Sequence, residues 1–162
     1  MCLSGVVCAA VFISTAYLHI PSNTGYIHLG DTLIYLAACL LPTPYAVFAG
    51  AVGAMLADLL GGYVIWAPGT VVIKTLAVLC FSHNTKKIIC ARNLTALVPA
   101  AVLCVGGYYL YEAVITMSFV VPIASLAGNT VQAIAGCIGF VLLGLAADKL
   151  KLKEKLHIGG QF

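Results

Sequence analysis

Apolar residues along the chain form six runs of helical length, separated by short polar or turn-forming stretches. They predict helices over residues 3–20, 31–41, 45–60, 68–81, 94–117 and 129–147. Proline marks several of the boundaries, at Pro21, Pro42, Pro44 and Pro68. A helix that crosses a ~30 Å hydrocarbon core needs about 20 residues, and fewer where neighbouring helices shield its ends. The pattern predicts an all-α, polytopic membrane protein with one domain over residues 1–162, a six-transmembrane-helix bundle.

Composition supports the membrane assignment. Hydrophobic residues make up 62% of the chain and charged residues 8%, whereas about a quarter of the residues in ordinary globular domains are charged. A chain so poor in charge could not cover a surface that faces water, and a bilayer removes that requirement. The first apolar run lacks a basic start, so we interpret it as a retained span and not as a signal peptide.

The basic residues predict the topology. They lie in the connection that holds Lys86, Lys87 and Arg92 and in a lysine-rich tail from Lys149 to Lys155. Flanks of this kind are typical of the cytoplasmic side of a membrane protein, so the net charge of +3 gives no reason to expect a nucleic-acid partner. Six spans would place both termini on that same side. The other three connections, at residues 21–30, 61–67 and 118–128, contain no Lys or Arg.

No motif indicates catalysis. The chain has no HExxH, GxSxG or Walker sequence, so we expect no enzyme activity, and any ATP-driven step would need a partner. The seven cysteines are scattered without a CxxC pair, which favours packing roles over a metal site. We expect neither a metal nor a cofactor.

Four charged residues fall inside the predicted spans, where a charge at the centre costs about 2.5–3.5 kcal/mol on insertion scales. Asp31 either caps its helix or faces a site. Asp58 and Lys74 either form a structural ion pair or line a cavity. For Glu112, well inside the fifth run, we favour a cavity role.

Further polar and aromatic residues lie near the predicted outer boundaries. Tyr26, Tyr63 and Trp66 fit an aromatic belt or the wall of a site. Tyr108 shares a helix face with Glu112, and Asn129 shares one with Gln132, whose amides could satisfy backbone groups or bind a ligand. His28 is a candidate hydrogen-bonding group. Together these residues suit an outward-facing pocket for a small molecule.

Several segments, in this order and spacing, resemble a known family. They are Gly25-Tyr26-Ile27-His28-Leu29-Gly30-Asp31, Leu41-Pro42, Ala57-Asp58-Leu59-Leu60-Gly61-Gly62-Tyr63, Trp66-Ala67-Pro68 with Lys74, Gly107-Tyr108 with Glu112, and Gly128-Asn129 with Gln132. The chain resembles the substrate-binding (S) components of energy-coupling-factor (ECF) vitamin transporters over nearly its whole length. The resemblance implies a vitamin pocket beneath the outer loops and a location in the plasma membrane of a prokaryote. It also implies an energising module, made of a transmembrane coupling protein and two ATPases.

Within that family the pattern is most similar to the subgroup associated with pyridoxine-type vitamin B6 compounds or hydroxymethylpyrimidine, although riboflavin or pantothenate relatives would use similar residue types. The resemblance also implies that small residues on the first helix dock the coupling protein. Gly5 with Ala9 and Ala10 with Ser14 are candidates, and ordinary packing within the bundle would explain either pair equally well.

Two other functions are compatible with the residues. A stand-alone, proton-coupled carrier could use Asp58, Lys74 and Glu112 as a relay. A membrane enzyme is disfavoured because the sequence has no metal-binding or nucleophile constellation.

Overall fold

The computed structural model describes residues 2–22 and 25–156 of the chain. Six helices of more than ten residues account for most of this part: α1 (Cys2–Ala16), α2 (Gly30–Leu40), α3 (Thr43–Leu60), α4 (Ala67–Leu79), α5 (Ala91–Thr116) and α6 (Ile123–Lys149). A 3₁₀ turn (Val64–Trp66) precedes α4, and a single turn, α7 (Leu152–Lys155), follows α6. Two short antiparallel strands, β1 (His19–Ser22) and β2 (Gly25–His28), connect α1 to α2.

The first helix is shorter than predicted. It ends at Ala16 instead of residue 20, and the residues that follow pair as a hairpin, with Ile20 opposite Ile27 and Ser22 opposite Gly25. Pro21 restricts Ile20 to extended backbone conformations, which explains why the helix cannot reach the proline. The hairpin replaces the turn-forming segment that the sequence predicted here.

The last long helix begins earlier than predicted. It starts at Ile123 instead of residue 129, with Pro122 as its first flanking residue. α5 ends at Thr116, where Met117 adopts the left-handed conformation (φ 51°) and stops the helix. The connection between the two longest helices is therefore only six residues long, from Met117 to Pro122.

Three of the described helices are long and apolar enough to cross a membrane by themselves: α3, α5 and α6. α1, α2 and the segment Val64–Leu79 are apolar but shorter. These lengths identify a helical membrane protein. Six complete spans and the side on which the termini lie remain predictions.

Small residues allow the helices to approach closely. α3 contains a π-helical stretch, Phe48–Val52, directly before Gly53. A Cβ atom at Gly53 would lie 2.7 Å from the backbone oxygen of Cys8, so α1 and α3 touch nearly backbone to backbone. A Cβ at Gly139 of α6 would lie 2.2 Å from Thr32 Oγ1 of α2. Such contacts are how helices associate in lipid, where van der Waals packing drives assembly.

The bundle has two chemically different ends. One end, here called the hairpin end, carries β1, β2 and the connections 61–66 and 117–122; the other, the basic end, carries the connection 80–90 and residues 149–155. Toward the basic end the core is aromatic: the Tyr35 and Phe81 rings stack at 4.9 Å, and Phe140 packs against both. Polar side chains gather in the other half.

Candidate substrate site

A buried carboxylate is the centre of this polar cluster. Asp31 lies in the first turn of α2 and is fully buried. Its side chain does not cap the helix, which excludes the capping role considered above. Asp31 Oδ1 accepts a hydrogen bond from Lys74 Nζ at 2.6 Å, and Oδ2 accepts one from Gln132 Nε2 at 3.1 Å. The Cys104 thiol lies 3.7 Å from Oδ2. Side chains from α2, α4, α5 and α6 thus converge on one carboxylate.

Lys74 is the counter-ion of Asp31. It is 1% exposed, and its salt bridge explains how an ammonium group can lie in the middle of an apolar helix. The structural ion pair of Lys74 with Asp58 that the sequence suggested is therefore wrong in its partner. Asp31 accepts one of the three hydrogens of the ammonium group, and no second hydrogen bond of Nζ is found among the described residues.

Aromatic rings lie between this cluster and the hairpin end. Lys74 Nζ lies 5.2 Å from the centre of the Tyr108 ring, a cation–π distance. The Tyr108 hydroxyl is 3.0 Å from Thr70 Oγ1. Trp66 contacts the Tyr108 and Tyr111 rings at 6.2 and 6.0 Å. Because the Tyr111 hydroxyl donates a 2.6 Å hydrogen bond to the Ile65 carbonyl, this aromatic wall is anchored to the connection before α4.

Glu112 lies one turn beyond Tyr108 and is also buried, at 4% exposed. It accepts a 2.5 Å hydrogen bond from Ser125 Oγ in the first turn of α6. This contact joins the end of α5 to the start of α6. Glu112 therefore has a structural partner in Ser125. A role in binding would require the Glu112 carboxylate to contact the ligand in addition to Ser125.

The remaining predicted residues lie around the cluster. Asp58 and His28 are buried at 5% and 6% exposed, and His28 Nδ1 accepts a hydrogen bond from Gly30 N at 3.1 Å. Tyr63 and Asn129 are half-buried. The side chain of Tyr26 lies outside the part of the chain that the structure describes.

The sequence did not single out three residues of the site. Thr70, Cys104 and Ser125 are buried partners of Tyr108, Asp31 and Glu112. Helical spacing could have found two of them, because Thr70 is four residues before Lys74 and Cys104 four before Tyr108. Among the described residues, no three His, Cys, Asp or Glu side chains are grouped closely enough to bind a metal ion.

An apolar groove of about 460 Å³ lies elsewhere, between α5 and α6. Its walls include Val102, Val105 and Gly106 on one helix and Ala133, Ile134 and Cys137 on the other. Val102 and Ile134 are more than half exposed, so the groove opens on the outer surface of the bundle. It offers almost no polar groups and does not suit a water-soluble ligand.

Comparison with known proteins gives two findings. The family model for "ECF-type riboflavin transporter, S component" matches residues 1–149. A protein of Pyrococcus woesei, described as "Uncharacterized protein in gap 3'region", is 34% identical over 139 residues, which covers 80% of this chain and 88% of the relative.

Proposed function

The chain belongs to the family of S components of ECF-type riboflavin transporters, and from this membership we propose that it captures a water-soluble, heteroaromatic vitamin at its hairpin end for ATP-driven uptake. The family makes the chain a transporter subunit of a membrane, not an enzyme. It also implies that the chain works together with an ECF module. A transmembrane coupling protein and two ATPases are the composition we propose for that module.

The observation that carries the proposal is the set of charged and amide groups around Asp31, screened by aromatic rings. A ring compound between Trp66 and Tyr108 would gain stacking contacts, while its hydroxyl or ring-nitrogen groups could accept the ammonium hydrogens of Lys74 for which the described residues provide no acceptor. Burying charged and amide groups inside an apolar bundle costs free energy. Such groups are therefore rare in membrane helices, and where they occur they usually mark a transport pathway or a ligand site.

We further propose a single-ring vitamin, of the vitamin B6 or hydroxymethylpyrimidine class. The side chains of the cluster pack directly against one another: Lys74, Asp31 and Tyr108 are all less than a tenth exposed. A ligand must displace part of this packing, and one ring demands a smaller displacement than the three fused rings of riboflavin. The family's name makes riboflavin the principal competitor in any binding test.

The docking of the coupling protein is also a proposal. Gly5 and Ala9 are exposed on α1, and a Cβ at Gly5 would meet nothing within 4 Å, so a partner helix could approach here closely. Ala10 is half-buried and Ser14 is 6% exposed, which places Ser14 inside the bundle. We therefore assign docking to the face of Gly5 and Ala9.

Fluorescence can test ligand capture, because Trp66 is the single tryptophan of the chain and lies in the proposed wall. We expect pyridoxine or hydroxymethylpyrimidine to change the emission of the purified protein saturably, and riboflavin to compete weakly. The variants Glu112→Gln and Asp58→Asn should then show whether these side chains bind the ligand or only stabilise the structure. At least one should lose about 1–3 kcal/mol of binding, the cost of an unmet buried polar group.

Two results would count against the proposal. Unchanged affinity in both variants would mean that the pocket lies elsewhere. Vitamin uptake into liposomes that hold only this chain, driven by a pH gradient without ATP, would favour the proton-coupled carrier that uses Asp58, Lys74 and Glu112.

A further inference from the structure

The connection between α4 and α5, residues 80–90, has no helix or strand, yet polar side chains fix its backbone. The Asp148 carboxylate accepts hydrogen bonds from the backbone N–H groups of Ile88 and Ile89, at 2.8 and 2.9 Å. The Asn93 side chain accepts one from Ser82 N and donates to the carbonyls of Ser82 and Ile88. α5 and α6 therefore both hold this connection.

Lys153 of α7 adds a third set of hydrogen bonds to the backbone of this connection. Its ammonium group donates to the backbone oxygens of His83 and Thr85, at 3.0 and 2.7 Å. The side chain is 8% exposed, and burial lowers the pKa of its amine. Lys153 thus serves the local structure, and Arg92 contributes to it as well by donating a 2.8 Å hydrogen bond to the Cys80 carbonyl.

The cations held on this scaffold face solvent. The exposed set at the basic end consists of Lys86, Lys87, Arg92, Lys149, Lys151 and Lys155. The chain has five acidic residues, and three of them, Asp31, Asp58 and Glu112, belong to the other half of the bundle. Of the two that remain, Asp148 is used by the backbone and Glu154 lies 3.6 Å from Lys151. The basic end therefore carries a large excess of exposed positive charge.

Exposed apolar side chains border these cations on both long helices. Leu94 and Val98 follow Arg92 along α5, and Leu142 and Leu145 precede Lys149 along α6. Apolar surface that changes to positive charge within about one to two turns matches the boundary between acyl chains and headgroups in a bilayer. An acidic protein surface would not require the apolar border.

We propose that the basic end is a preorganised binding surface for the headgroups of anionic lipids in the adjoining leaflet. Phosphate groups would be bound by the exposed cations, of which Lys86 and Lys87 lie on a connection whose backbone is already fixed by Asp148, Asn93 and Lys153, so little ordering of that connection is required on binding. This surface is independent of the vitamin site.

Native mass spectrometry of the full chain in an uncharged detergent can test this, with phosphatidylglycerol and phosphatidylcholine of identical acyl chains as probes. We expect a preference for phosphatidylglycerol that weakens with salt. The variant Lys86→Gln/Lys87→Gln/Lys149→Gln should lose affinity for the anionic lipid about fivefold per cation, or on the order of a hundredfold in all. Its affinity for phosphatidylcholine should not change.

A matched variant with arginine at the same three positions keeps the charge and should keep the preference. Equal binding of the two lipids by the unaltered chain would overturn the proposal, as would an unchanged preference in the glutamine variant. Equally tight binding of soluble glycerol phosphate would identify a site for a free anion instead. If the glutamine variant loses only its association with the ATPases, the surface belongs to a protein partner and the lipid proposal is wrong.

Discussion

Lys74 and Asp31 lie 2.6 Å apart at almost complete burial, and Gln132 and Cys104 occupy the second carboxylate oxygen. The contribution of each buried charge to the free energy of unfolding depends strongly on the presence of the other. Desolvating each charge costs several kcal/mol, and only the mutual attraction and the added hydrogen bonds offset this cost.

Removing one charge should therefore be worse than removing both. We expect Asp31→Asn or Lys74→Met alone to lower the stability of the purified protein by about 3–5 kcal/mol, since each leaves an unpaired buried charge. The double variant Asp31→Asn/Lys74→Met should lose less than either single variant, because it leaves no unpaired buried charge. Thermal unfolding in detergent of all four proteins measures this, and strictly additive losses would mean that the two charges are not coupled.

The hydrogen bond between Ser125 and Glu112 is a second test at the residue scale. Ser125→Ala leaves the buried carboxylate without its 2.5 Å partner and should cost about 1–3 kcal/mol of stability. Thr130→Ala on the same helix is the matched control, because Thr130 is exposed and its hydroxyl, among the described residues, donates only to the Leu126 carbonyl. Equal unfolding temperatures for the two variants would show that the buried contact contributes nothing.

The sequence identified most of these residues but not their partners. Intramembrane charge alone made Asp31, Lys74 and Glu112 conspicuous. The pairing of Asp31 with Lys74 joins positions 43 residues apart, and no local spacing encodes it. Asp58 was the nearer candidate along the chain, but the packing of four helices brings Asp31 and not Asp58 into contact with Lys74.

At the scale of elements, proline and composition predicted where helices exist better than where they end. The sequence did not predict the short hairpin, because Pro21 and Ser22 are typical of turns. The strand that pairs with β1, which is β2, begins only after the turn. The early start of α6 was missed because Gly128 and the residues around it were interpreted as a loop, although Pro122 is a usual signal at a helix start.

The contact between α2 and α6 gives a prediction at this scale. Gly139→Ala would force a methyl group onto Thr32 Oγ1, at 2.2 Å, and should cost about 1–3 kcal/mol. Gly106→Ala, in open space on α5, should be neutral or stabilise slightly because alanine favours helix.

Truncating the obstacle should rescue the first variant. Thr32→Ala removes the two closest atoms, so Gly139→Ala/Thr32→Ala should unfold at a higher temperature than Gly139→Ala alone. If the double variant unfolded at the same temperature as Gly139→Ala, the loss of stability in Gly139→Ala would not come from the clash with Thr32.

For the whole molecule, the distribution of charge organises the structure more than any one contact. Asp31, Asp58 and Glu112 lie toward the hairpin end, and the exposed cations lie at the opposite end together with Asp148 and Glu154. This division was visible in the sequence, since it depends on which apolar run each charge flanks. The closed packing of the cluster was not visible, because it depends on side-chain contacts between distant helices.

The central claim is that this chain captures a heteroaromatic vitamin. Mass spectrometry of small molecules released from the purified protein tests it most directly, with the Lys74→Met variant purified in parallel. We predict that the unaltered chain releases a vitamin of the B6 or hydroxymethylpyrimidine class in near-stoichiometric amount, and that the variant releases much less. A preparation that carries no vitamin, and that binds none of pyridoxine, hydroxymethylpyrimidine or riboflavin when they are added, would contradict the claim.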